Sequence, residues 1–123
     1  MNRLEDRKSV LEKLVHFNSS LKNLSTALKK FPWDCDQELV TLNLKMLEDI
    51  MHRYINNDLK AWELGGWANL IECRDDIGFE EKYSETIQQI IYELANAAIN
   101  EPIKREKVLS ILSECHKLAR HNG

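Results

Sequence analysis

Apolar residues recur along most of this chain with the period of an α-helix. Val10, Leu14, Phe17, Leu21, Leu24 and Leu28 follow one another at alternating steps of four and three. That spacing lays a continuous apolar stripe along helical structure. Ser9 with Glu12 predicts a capping box at its start. Asn18-Ser19-Ser20 offers a second start, with a serine recapping a separate helix, so residues 9–30 fit one helix or two. Phe31-Pro32-Trp33-Asp34 ends the stripe, because a residue before proline is pushed out of the α region. The next helix is expected to start at Asp34 or Asp36, either of which can cap it. Its inward face would be Leu39, Leu42, Met46, Leu47, Ile50 and Tyr54. Asn56-Asn57-Asp58 marks a turn.

A third stretch of helical spacing covers 60–74 and contains Gly65-Gly66. Each glycine costs about 1 kcal/mol relative to alanine in a helix, which predicts close packing or a break there. Residues 75–83, with Gly78, read as a loop. A helix over 84–98 would turn Ile87, Ile90, Ile91, Leu94 and Ala98 inward. Asn100-Glu101-Pro102 punctuates, and a last helix over 103–121 buries Val108, Ile111, Leu112, Cys115 and Leu118. No stretch alternates with period two over a strand's length. The predicted class is all-α, a compact bundle of five to six helices forming a single domain over 1–123.

Composition sharpens this picture. Hydrophobic residues make 43% of the chain and charged residues 30%, a balance that supports a packed core and argues against disorder. No apolar run approaches the roughly 20 residues that span a bilayer. The N-terminal Met-Asn-Arg-Leu-Glu-Asp-Arg-Lys is too charged for a signal peptide. Cys35, Cys73 and Cys115 are widely spaced, without the CxxC pairs of a zinc site, and suit a reducing cytoplasm as buried or half-buried thiols. Net charge is -3, unevenly spread: +4 over 1–33, -8 over 34–81 and +1 over 82–123. An acidic middle repels phosphate backbones and attracts a basic partner.

The segment Trp67 to Ile77 joins an apolar stripe to a dense set of charges. Placed on a helix, Trp67, Leu70, Ile71 and Arg74 share one face, while Asn69, Glu72 and Asp76 share the next. Arg74 is expected to organise the segment through an internal salt bridge to an acid from another helix. Glu72, Asp75 and Asp76 are the candidate partner-binding acids, with Glu80 and Glu81 at the rim. Phe31, Trp33, Trp62 and Trp67 read first as packing residues. Trp62, in the Gly-flanked region, is also the candidate exposed anchor.

Other chemistry finds less support. A divalent metal could use Glu72, Asp75 and Asp76 with Glu48-Asp49-His52, but paired Glu-x-x-His motifs are missing. There is no GxSxG, GxGxxG, P-loop or HExxH. Cys115 and His116 point about 100° apart on a helix, a poor nucleophile and base pair. His16 and His121 read as surface residues. Basic patches interleaved with aromatics, the mark of nucleic-acid binding, are missing.

In size, helical layout and acidic middle the chain resembles small all-helical bacterial immunity proteins, the partners of contact-dependent growth-inhibition and related polymorphic toxins. The resemblance spans residues 20–120. It rests on Trp67 with Glu72-Cys73-Arg74-Asp75-Asp76-Ile77, and on Phe31-Pro32-Trp33-Asp34 before it. It implies a non-catalytic, cytoplasmic protein that binds a cognate toxin, often a basic nuclease domain, and blocks its active site or an exosite. No cofactor, metal, nucleic acid or membrane is expected. The competing expectations are a helical metal-binding domain or enzyme built on the carboxylate cluster, and a homodimer burying the Val10-to-Leu28 stripe against its copy.

Overall fold

The apolar stripe at the N-terminus belongs to two helices. α1 covers Arg3–His16 and α2 covers Leu21–Leu28. The computed structural model describes residues 3–100 and 103–122, and at 98–100 and 121–122 it describes the backbone alone. Phe17 takes a left-handed backbone, φ 48°, which ends α1. The Arg53 guanidinium closes that end, donating to the carbonyls of Phe17 at 2.9 Å and His16 at 3.3 Å. Ser20 restarts the chain, its hydroxyl accepting from Asn23 N–H at 3.1 Å. Ser9 lies in the middle of α1, so the capping box expected with Glu12 does not form.

The second correction concerns residues 34–42. They do not begin a helix. Val40–Leu42 form a short strand, β1, that pairs in parallel with β2, Ile77–Phe79. The register sets Val40 beside Ile77 and Leu42 beside Phe79. Val40 and Leu42 are buried and Thr41 between them is exposed, so a three-residue strand shows one alternation only. α3 then covers Leu44–Ile55. Its cap is Asn43, whose side chain accepts from Met46 N–H at 2.8 Å, and the carboxylate of Glu80 accepts from Leu44 N–H at 2.9 Å.

α4 covers Ala61–Ile71, and Glu63 fixes its start by accepting from Lys60 N–H at 2.9 Å. Gly65-Gly66 does not break it. A Cβ on Gly66 would stand 2.7 Å from Leu21 Cδ1, the flexible tip of a side chain on α2, so the two helices meet closely there. After β2 come a single 3₁₀ turn over Glu81–Tyr83, α5 over Ser84–Asn100 and α6 over Arg105–Asn122. α4 packs along α5, and α3 against α6.

One continuous core fills the interior. Leu11, Leu14, Leu47, Leu64, Trp67, Ile71 and Ile87 are sealed from solvent. Trp67 donates its indole N–H to the Leu14 carbonyl at 2.6 Å and stacks on Phe17 with ring centres 6.2 Å apart. The buried faces of α5 and α6 include Ile87, Ile90, Ile91, Leu94, Val108, Ile111, Leu112 and Cys115, as their spacing predicts. The expectations for Ala98, Asn100-Glu101-Pro102 and His121 fall outside the described residues or side chains. Leu14, Phe17, Leu24 and Leu28 are buried in the chain's own core, with Val10 and Leu21 packed at its edge. The stripe considered as a homodimer seam is therefore mostly turned into the chain's own core.

Six α-helices are present among the described residues, with the two-strand ladder as the sole departure from an all-α bundle there. No helix among them is long and apolar enough to cross a membrane.

Candidate functional site

The chain leaves α4 at Ile71 and turns sharply at Cys73, whose φ of 70° is left-handed. Residues 72–76 therefore do not continue the helix, and the face expected to join Glu72 to Asp76 does not exist. Asp76 turns inward instead and is 0% exposed. Both its carboxylate oxygens are occupied. Oδ2 accepts from Arg7 Nε at 2.8 Å and from Arg74 Nη2 at 3.0 Å, and Oδ1 accepts from Arg74 Nε at 3.0 Å. A charge taken out of water needs such partners, and two guanidiniums supply them.

The same two arginines fasten a loop. Arg7 Nη2 donates to the carbonyls of Pro32 at 2.6 Å and Asp34 at 3.2 Å, and Arg74 Nη2 reaches Pro32 O at 3.3 Å. Arg3 and Arg7 lie over the buried Phe31 ring, at 5.7 and 5.8 Å from its centre. Asp75 N–H donates to Trp33 O at 3.0 Å, and Leu39 N–H donates to Asp76 O at 2.8 Å, leading into β1. The loop after α2 is thus held from beneath by Asp76 and its arginines. Pinned this way, it leaves the Trp33 ring 71% exposed.

An open groove of about 950 Å³ runs beneath Trp33, between the end of α2 and the end of α4. Leu28, Pro32, Trp33, Leu70, Glu72 and Cys73 are among its walls. Glu72 is half-buried, and its Oε2 is withdrawn from solvent without a hydrogen-bond partner. Asp34, Asp36, Glu38 and Asp75 are exposed around this end of the molecule, on two segments tied by the Trp33–Asp75 hydrogen bond. The Glu38 carboxylate lies over Gly78, where a Cβ would collide with it.

The predicted site residues scatter. Arg74 forms its salt bridge as expected, but the acid is Asp76, two residues on, and a second arginine comes from α1. Asp76 is removed from any contact surface by burial. Asp75 is exposed and Glu72 half-buried at the groove. Glu80 is committed to the start of α3, while Glu81 stands exposed in the 3₁₀ turn. Trp62 is 64% exposed, as an anchor would be. However, it sits at the opposite end of α4, about 15 Å of helix from Glu72. Trp33, read as a packing residue, is the aromatic that stands beside the acids. Arg7 escaped notice altogether. Trp33 did carry a signal: a ring inside the polar run from Pro32 to Glu38 has nothing to pack into.

The metal alternative loses its ligands. Asp76 is taken by arginines and Asp49 pairs with Lys45 at 2.8 Å. Glu48 meets His116 Nε2 at 3.2 Å, and the His52 ring stacks on His116 at 6.1 Å. Among the described residues no three His, Cys, Asp or Glu side chains gather in a way that could hold a metal ion. Cys115 is buried, and its thiol is pushed up to about 11 by that burial and by the nearby charges of Glu48 and Glu114. It is a core residue and a poor nucleophile at neutral pH. Cys73 is exposed and Cys35 half-buried.

Compared with protein-family models, curated proteins and solved structures, the chain matches none.

Proposed function

We propose that this chain is a protein-binding module, an immunity protein that neutralises a cognate bacterial toxin in the cytoplasm without catalysis of its own. The observation that carries the reading is Trp33. It is a large exposed ring on a loop pinned by Arg7 and Arg74, whose side chains are nearly buried, with Asp34, Asp36 and Asp75 around it. Pre-organised aromatics of this kind dominate binding energy, because little freedom is lost when they dock. Acids on the rim speed association with a basic surface and set its orientation. The charge of -8 over residues 34–81 suits a basic toxin such as a nuclease domain.

Contact then falls to Trp33, Asp34, Asp36, Glu72 and Asp75, and Glu80 and Asp76 act as supports. Co-expression with the protein encoded immediately upstream tests the reading. A one-to-one complex that abolishes the neighbour's toxicity is expected. No complex, together with no toxicity from the neighbour, would exclude it.

A further inference from the structure

We infer that the first turn of α1 is a latch on the Trp33 loop, with Arg3 as its catch, keeping the loop formed in the free chain without touching a partner. Its value for binding rests on the protein-binding reading; the latch itself does not. Residues 32–38 are held little by their own backbone. Among the described residues, their one backbone-to-backbone hydrogen bond is the Trp33 carbonyl accepting from Asp75 N–H at 3.0 Å. Side chains of α1 supply what the backbone lacks. Arg3 and Arg7 stand one helical turn apart, so both guanidiniums reach the loop from one face of α1. Arg3 Nη2 donates to the Lys30 carbonyl at 2.9 Å, and Arg7 Nη2 to those of Pro32 at 2.6 Å and Asp34 at 3.2 Å. Both cations also cover the ring of Phe31, which lies between Lys30 and Pro32 in the chain.

The two arginines differ in what else they hold. Arg7 is tied to the buried Asp76, so its loss strikes the core. Arg3 is exposed, and its contacts are with the loop, at the Lys30 carbonyl and the Phe31 ring. Removing Arg3 therefore loosens the entrance of the loop and leaves the core intact. A loosened loop must be ordered again before Trp33 can dock, and that ordering weakens binding. Coupling of this kind is reciprocal, so a partner seated on Trp33 steadies the start of α1.

Amide hydrogen exchange of the full chain, read by NMR, tests the latch. It needs no toxin, so its failure is separate from failure of the immunity reading. The Asp75 amide reports the loop through its bond to Trp33, and the Ile90 amide, inside α5, reports the core. Arg3→Ala should speed exchange at Asp75 about fivefold, the size expected of one exposed hydrogen bond, with Ile90 unchanged. Lys8→Ala removes an equal charge from an exposed position of α1 and should leave both amides as in wild type. Unchanged exchange at Asp75 in Arg3→Ala, an equal rise at Asp75 and Ile90, or the same rise in Lys8→Ala would each overturn the inference.

Discussion

Asp76 and Arg7 lie 69 residues apart in the chain and 2.8 Å apart in the fold. The pair ties the first helix to the segment after the fourth, and with Arg74 it fixes the loop that carries Trp33. Removing the acid leaves two nearly buried guanidiniums uncompensated. Asp76→Asn should therefore lose about 3 kcal/mol of stability. Its exposed neighbour should matter little, and Asp75→Asn should change stability by less than about 0.5 kcal/mol. Urea unfolding at pH 7 measures both. Equal, small losses would show that the ion cluster does not hold the fold.

Trp67 seals the centre of the core and hydrogen-bonds the Leu14 carbonyl. Trp67→Phe removes that hydrogen bond, leaving the Leu14 carbonyl with Phe17 N–H as its donor, and opens a small cavity. A loss of about 2–4 kcal/mol is expected in the same unfolding experiment. A value near zero would mean the indole N–H contributes nothing.

The break between α1 and α2 gives a prediction about two serines. Ser20→Ala removes a cap and should cost about 1 kcal/mol. Ser9→Ala lies on the exposed side of α1 and should be neutral or stabilising by a few tenths of a kcal/mol, since alanine favours a helix interior. Thermal melts of the two variants distinguish them. The reverse order would restore a single cap at Ser9.

Cys115 makes stability depend on pH in the alkaline range. Its folded thiol is raised to about 11 from an ordinary 9.0. Between these values the unfolded chain releases the proton and the folded chain keeps it. Stability therefore falls as pH rises through this window, by at most about 1.4 kcal/mol per pH unit, and is unaffected below it. Cys115→Ala lacks the group, so the stability difference between wild type and variant should shrink between pH 9 and 11. A constant difference would contradict the raised thiol.

The helices were legible because their buried faces repeat every 3.6 residues over many turns. Ile87, Ile90, Ile91 and Leu94 on α5, and Val108, Ile111, Leu112 and Cys115 on α6, needed no tertiary information. β1 was not legible. Leu39, Leu42 and Met46 follow one another at helical steps of three and four, and a strand of three residues is too short for its own alternation to stand out against them. The site was misread for a related reason. Extending α4 to Arg74 put Glu72 and Asp76 on one face, but the left-handed turn at Cys73 sends Asp76 into the interior. That burial depends on Arg7, a contact no local pattern announces. Arg74 as an organising residue was legible because a charge at the end of an apolar stripe must find a partner.

The central claim is that Trp33 and the acids beside it form the binding surface. The most direct measurement is the affinity of the chain for the protein encoded immediately upstream. It compares wild type with Trp33→Ala, with Asp34→Lys plus Asp75→Lys, and with Trp62→Ala. The account predicts a loss of about a hundredfold for Trp33→Ala, comparable to removing a hot spot. It also predicts a slower, salt-sensitive association for the double lysine variant. Trp62→Ala should bind within about twofold of wild type, as residues outside a hot spot do. Wild-type affinity in Trp33→Ala, with loss in Trp62→Ala, would place the interface at the other end of α4 and contradict the account.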